Sequence, residues 1–287
     1  MSSNNTSSNY TKVVETARSY YNSEDADNFY FHIWGGNDIH IGLYRDETEH
    51  DPIADASRRT VERMAKLLPP LDENSRVLDI GAGYGGAARY IAERFDCRVT
   101  ALNLSETENE RDREMNRKAG LDHRIDVADG DFEQIPSRNG IYDVVWSQDA
   151  ILHSGRRKKV IQEVARVLKK GGHFIFTDPM QADDCPAGVL QPVLDRIHLD
   201  SLGSPAFYKE AAREYGLEFI EFIDYTHQVG RHYQRVHDEL VANRDDIQDK
   251  VSEEYIERML KGLNHWVDAN KNGYLAWGIL HFKKSEA

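Results

Sequence analysis

Residues 77–86 read Val-Leu-Asp-Ile-Gly-Ala-Gly-Tyr-Gly-Gly, an apolar run that passes directly into a glycine-rich turn and then into a helical stretch. Glycines let a backbone approach a ligand closely, and a helix opening behind them presents unpaired N–H groups. Such a segment needs a strand before it and a sheet around it. Apolar runs at 76–80, 98–104, 124–128, 142–147 and 173–178 alternate with helical stretches at 87–95, 106–119 and 156–169. That alternation implies βαβ units and an α/β doubly wound, Rossmann-like parallel sheet. Ser105, with Glu108 three residues on, reads as a capping box for the second of these helices. Gly171-Gly172 reads as the stop of the third.

Two further strand-like runs, 218–225 and 274–283, bracket a long polar helical segment at 231–268. A chain of 287 residues with 40% hydrophobic residues can bury one large core. Its 49 acidic against 36 basic residues give a net charge of −13, which repels phosphate backbones and anionic lipid surfaces. Nucleic acid and membrane are therefore not expected partners. The first residues, MSSNNTSSNYTK, lack both a basic start and an apolar stretch, so a cytoplasmic protein is expected. The sequons at Asn5 and Asn9 then read as part of a polar tail. Two cysteines and scattered histidines give no metal-ligand spacing, and no metal is expected.

A G-x-G turn taken alone also closes ordinary strand–helix connections. A dinucleotide-binding dehydrogenase would show G-x-G-x-x-G and an acid at the end of the second strand; here the glycines are Gly81, Gly83, Gly85 and Gly86, and that strand ends Asn103-Leu104-Ser105. With Asp79 two residues before Gly81, the D-x-G-x-G pattern resembles the first motif of class I S-adenosylmethionine-dependent methyltransferases. The resemblance implies S-adenosylmethionine as cofactor and S-adenosylhomocysteine as its product. It places Asp79, Gly81, Ala82 and Gly83 beside the methionine part, Asn103 and Leu104 at the ribose, and Asp131 and Phe132 at the adenine, with Ser147 bordering the site. Asn103 departs from the Asp or Glu that many such enzymes carry there, but it can still accept through its amide oxygen.

Residues 142–153, Tyr-Asp-Val-Val-Trp-Ser-Gln-Asp-Ala-Ile-Leu-His, place a strand and then polar side chains at the mouth of the sheet. The Asn/Asp-Pro-Pro-Tyr signature of nucleobase methylation is missing. Asp149 and His153, four residues apart, would share a face on a helical turn and point into one cavity. The stretch Ser147–His153 resembles phosphoethanolamine methyltransferases, which implies active-site roles for Asp149 and His153 with a tyrosine from the N-terminal segment. Tyr21 is preferred to its neighbour Tyr20.

Over nearly its full length the chain is more similar to the sarcosine/dimethylglycine N-methyltransferases of glycine-betaine synthesis. The segments that carry this are 20–23, 34–44, the glycine loop, 146–154, 177–184, 191–198 and 262–266. The resemblance implies a seven-stranded sheet, an N-terminal helical cap over 1–72, and a methyltransferase domain over 73–287. A helical lid inserted at about 227–271, before the last strand, would complete it. It also implies methylation of sarcosine and dimethylglycine by a monomer or homodimer. Phosphoethanolamine methylation, lipid cyclopropane synthesis and nonenzymatic cofactor sensing are the competing readings.

An amine attacks a sulfonium methyl through its lone pair, so it must lose its proton first. His153, with an ordinary pKa of roughly 6.5, is the natural acceptor. A methylated amino acid is cationic at one end and anionic at the other. Tyr20, Tyr21, Trp34 and Trp146 could serve the cation, Gln148 would line the same site, and His40, Arg196, His227, Arg231 and Tyr233 are candidates for the carboxylate.

Overall fold

The computed structural model describes residues 10–45 and 51–286; Asn5 and Asn9 lie outside them. Three helices come first: α1 (Lys12–Tyr21), α2 (Glu24–His32) and α3 (Ile53–Ala65). Thr11 and Ser23 start the first two by accepting from the N–H groups of Val14 and Ala26, each at 3.3 Å. The alternating unit follows as β1 (Arg76–Ile80), α4 (Gly86–Phe95), β2 (Arg98–Asn103), α5 (Glu106–Ala119), β3 (Ile125–Asp129), β4 (Tyr142–Gln148), α6 (Arg157–Val167) and β5 (Leu168–Thr177). The remainder is β6 (Met180–Gln181), α7 (Gln191–Ile197), α8 (Pro205–Glu214), β7 (Leu217–Asp224), α9 (His227–Ala242), α10 (Arg244–Ile247), α11 (Glu253–Lys271), β8 (Leu275–Ala276) and β9 (Gly278–Lys284).

The main sheet is seven-stranded, in the order β3-β2-β1-β4-β5-β9-β7. Strands β1 to β5 run parallel, and β9 is antiparallel to both its neighbours. Helices cover both faces, so the central strands are apolar on both sides: Val77, Leu78 and Ile80 are all buried, as are Val144, Val145 and Trp146. The strand order reverses between β1 and β4, and the crevice at their carboxyl ends is where such sheets bind ligands.

Three apolar cores result. Two cover the faces of the sheet. The third lies above it and is made jointly by α2, α7, α9 and α11, with Phe29, Trp34, Val193, Tyr233, Tyr255 and Trp266 among its members. The N-terminal segment and the insertion thus share one core. No helix among the described residues is long and apolar enough to cross a membrane.

Several expectations need correction. The helix expected at 156–169 ends at Val167, and Gly171-Gly172 lies inside β5. Leu168 already pairs with Tyr142, and the register shifts before Val144 meets His173, with Gly171 at φ +74° taking up the irregularity. The strand expected at 274–283 breaks at Trp277, because Leu275 and Ala276 pair with β6. Asp149 and His153 do not share a helical turn: Asp149 sits alone at φ +50°, and a single 3-10 turn covers Ile151–His153.

Candidate active site

The turn after β1 uses its glycines for shape. Gly81 and Gly83 have φ of +77° and +54°, where side-chain-bearing residues are strained. A Cβ at Gly81 would overlap the Ala150 methyl, which crosses from the end of β4. Beside this turn lies a cavity lined by Gly81, Gly83, Asn103, Leu104, Asp131 and Phe132. A small side chamber holds Asp79, Ala82 and Gln148. Burial and the neighbouring Asp112 and Asp38 push the Asp79 carboxyl well up, a setting that suits an incoming cation. The Gln148 Nε2 is buried without a partner. Backbone N–H groups, buried polar atoms lacking partners and the Phe132 ring fit S-adenosylmethionine along its length.

A second cavity lies under the third core. Tyr20, Tyr30, Trp34, His40, Arg196 and Tyr233 line it, together with Met259 and Trp266. Tyr233 stacks on Trp266 at 4.9 Å, which fixes that wall. The Tyr20 hydroxyl meets those of Tyr255 at 2.8 Å and Tyr30 at 3.4 Å. Arg196 reaches this tyrosine cluster across α11, where any side chain at Gly262 would overlap its own. Among the described residues its one hydrogen bond is from Nη2 to the Met259 sulfur at 3.3 Å, its Nε is buried without a partner, and no carboxylate pairs with it. A buried guanidinium with no acid beside it is suited to pairing with an anion.

Tyr21, Ile39, Asp149 and His153 line both cavities. The Tyr21 hydroxyl is 2.9 Å from His153 Nε2. Burial, with Arg157 and Arg196 nearby, pulls the His153 pKa down to about 4, so the imidazole is neutral at pH 7. Among the described residues Asp149 is hydrogen-bonded elsewhere and not to His153. Its carboxylate accepts from the Ile41 N–H at 2.7 Å and the Trp277 indole at 2.8 Å. Burial raises its pKa, while His40, Trp277 and Ile41 act against that rise.

The methyltransferase domain family matches residues 78–176. A sarcosine/dimethylglycine N-methyltransferase of Halorhodospira halochloris is 60% identical over 95% of this chain and 97% of that protein. One from Aphanothece halophytica is 55% identical over 95% and 98%. The chain belongs to this family. A crystal structure of a candidate sarcosine dimethylglycine methyltransferase from Galdieria sulphuraria superimposes with a TM-score of 0.89 at 42% identity, over 93% of this chain and all of that one. A Haemonchus contortus phosphoethanolamine N-methyltransferase, with a TM-score of 0.81 at 19% identity, shares the fold.

For this methyltransferase most expected residues reach the two cavities, but several do not. Trp146 is fully buried in the core under the sheet, with its indole N–H on Gln148 at 3.0 Å. Ser147 is likewise buried, donating to the Ile80 carbonyl at 2.8 Å. His227 is exposed at the start of α9, and Arg231 lies over the Tyr44 ring. Gln148 faces the cofactor side rather than the substrate. Trp146 and Ser147 lie within β4 on opposite faces, both covered by core, and helix phase turns Arg231 toward Tyr44. Tyr30 and Met259 were missed. They sit at helix positions whose apolar periodicity reads as ordinary core, and only the partnering of α2 with α11 marks them as a cavity wall.

Proposed function

We propose that this chain transfers a methyl group from S-adenosylmethionine to the nitrogen of sarcosine and then of dimethylglycine, giving betaine. The observation that carries the reading is the junction: a cofactor-shaped cavity and a tyrosine-lined cavity share Tyr21, Ile39, Asp149 and His153. The family names of the close relatives support the same substrates. When bound, S-adenosylmethionine supplies an electrophilic methyl group on a sulfonium.

Arg196 and the hydroxyls of Tyr20 and Tyr30 hold the substrate carboxylate, with Tyr255 bonded to Tyr20 behind them, which leaves the amine near the junction. Asp149 attracts the ammonium form and faces the positive charge that develops on nitrogen as the N–C bond forms and the S–C bond breaks. The Tyr21 and Trp34 rings act on the same charge. His153 is neutral and hydrogen-bonded through Nε2 to the Tyr21 hydroxyl, and the pair orients the amine and passes its proton toward solvent. Holding the nitrogen in line supplies the rest of the acceleration. The N-terminal segment and the 227–271 insertion act together as one substrate cap, as their shared core suggests.

A methyl-transfer assay across glycine, sarcosine, dimethylglycine and phosphoethanolamine tests the proposal. Turnover of sarcosine and dimethylglycine is expected. Turnover of phosphoethanolamine alone would overturn the substrate assignment, and tight cofactor binding without any turnover would make the chain a sensor.

A further inference from the structure

The turn that carries His153 is short and is not capped by its own sequence. One 3-10 turn covers Ile151–His153, and its first internal bond runs from the His153 N–H to the Ala150 carbonyl at 3.1 Å. The Leu152 N–H is therefore left over at the open end. A Ser, Thr, Asp or Asn just before such a turn would normally accept from it. The residue there is Ala150, which offers no side-chain cap and whose methyl already lies against Gly81. A single turn of this length is marginal without outside support.

The support comes from the next strand. β4 and β5 run in register with Gln148 beside Thr177, and the Asp149 N–H donates to the Thr177 carbonyl at 2.9 Å. That pairing brings Asp178, the first residue after β5, alongside the turn. Its Oδ1 accepts from the Leu152 N–H at 2.8 Å and its Oδ2 from the Tyr208 hydroxyl at 2.6 Å. Asp178 and Tyr208 are both fully buried, and the Tyr208 ring packs edge-on against Phe176 at 5.0 Å. The carboxylate is thus fixed at both oxygens. At the other end of the same residue, Arg157 Nη2 donates to the Leu152 carbonyl at 2.9 Å. Asp178 lines neither cavity, so it reaches the junction through the turn.

We propose that Asp178 is a positioning residue for methyl transfer: it caps the 151–153 turn and thereby keeps His153 at hydrogen-bonding distance from Tyr21. The Tyr21 hydroxyl and His153 Nε2 are 2.9 Å apart, and a displacement of about 1 Å would break that bond. The proposal rests on reading His153 as part of the reacting junction, and its test separates the two.

Steady-state kinetics with dimethylglycine and calorimetry with S-adenosylhomocysteine compare Asp178→Ala and Asp178→Asn, each alone and combined with His153→Ala. Asp178→Ala should lower kcat by about 10- to 100-fold, the scale of a misplacement near 1 Å, with KM and cofactor affinity close to native. Asp178→Asn keeps an oxygen for the Leu152 N–H, so most of the rate should return. In the His153→Ala background Asp178→Ala should cost no more than about a further twofold, because the group it positions is already gone. Should the alanine variant not fold, Asp178→Leu combined with Tyr208→Phe replaces the carboxylate and its outer donor by apolar groups of similar size, and the same pattern is expected of it. A native kcat in whichever capless variant folds would overturn the proposal. So would a loss of the same size in the His153→Ala background, or a fall in cofactor affinity matching the fall in kcat. A His153→Ala protein with native turnover would instead overturn the junction reading itself.

Discussion

The two cavities touch, yet they are built from different materials. The cofactor cavity is mostly backbone and short loops, drawn from the ends of β1, β2 and β3 with α1 laid across it. The substrate cavity is mostly side chains, drawn from positions as far apart as Val13 and Trp266 and held by a core of its own. A backbone-built site depends on conformation at a few glycines, so it can be destroyed by one added carbon. A side-chain-built site depends on which rings and charges project inward, so single changes should alter affinity and selectivity more readily than they abolish binding.

The junction should respond most strongly, since it serves both cavities. His153→Ala is expected to lower methyl transfer by about 10²–10⁴-fold, the usual range for a proton-handling side chain. S-adenosylhomocysteine affinity should change little. Because the His153 pKa lies at about 4, the imidazole stays neutral from pH 8 down past pH 5 and does not itself titrate in that window. The rate should instead rise with pH as the neutral amine becomes more abundant, by about tenfold per unit below the amine's own pKa. The native and His153→Ala profiles should therefore run parallel. A break near pH 6.5 in the native profile alone would show that the imidazole ionises in the working site.

Gly81→Val and Arg196→Met test the contrast itself. The first forces a branched residue to φ +77° and into the Ala150 methyl. Strain of about 1–3 kcal/mol plus that overlap should lower cofactor affinity a hundredfold or more. Arg196→Met keeps an unbranched side chain beside Met259 but removes the charge. It should raise KM for dimethylglycine roughly thirtyfold or more, with cofactor affinity unchanged by calorimetry. If Arg196→Met weakened the cofactor as much as the substrate, the two cavities would have to be one energetic unit.

The same contrast explains what could be read from the sequence. The glycine turn, Asn103, Asp131 and Phe132 are each announced by the strand or turn next to them, and the structure lines them along one cavity. Arg196 and Tyr233 were among several equivalent candidates, because nothing local separates them from His227 or Arg231. Long-range packing decides it: α7 crosses α11 at Gly262, which brings Arg196 inward, while helix phase sends Arg231 to Tyr44. Trp146 misled for a related reason: it lies within β4 and is covered by core, while Gln148, two residues on and on the same face, reaches the cofactor side because the strand ends there. Glu108 was legible only as a helix cap, whereas its carboxylate turns to the Asn103 amide five residues back.

The smallest effect should come from the element that covers the junction. Helix α1 contributes Val14, Ala17, Arg18 and Tyr21 to the wall of the cofactor cavity. It is tied to the start of α5 by Arg18, whose Nε is 3.0 Å from the Glu106 carboxylate, and by Asn22, which accepts from the Ser105 hydroxyl at 2.7 Å. Movement of α1 away from the cavity would have to break those contacts. The ion pair is well exposed, with 30% of the Arg18 and 49% of the Glu106 side chain reachable by solvent. Exposed pairs contribute only about 0.2–1 kcal/mol, which corresponds to less than about sixfold in a rate. Arg18→Ala should therefore speed release of S-adenosylhomocysteine by a small factor, measured by stopped-flow displacement, while leaving KM for dimethylglycine nearly unchanged. Added salt should reproduce much of the effect in the native protein and little in the variant, because screening weakens a pair that only the native protein has. Equal salt sensitivity in both would mean that α1 is not the element that opens.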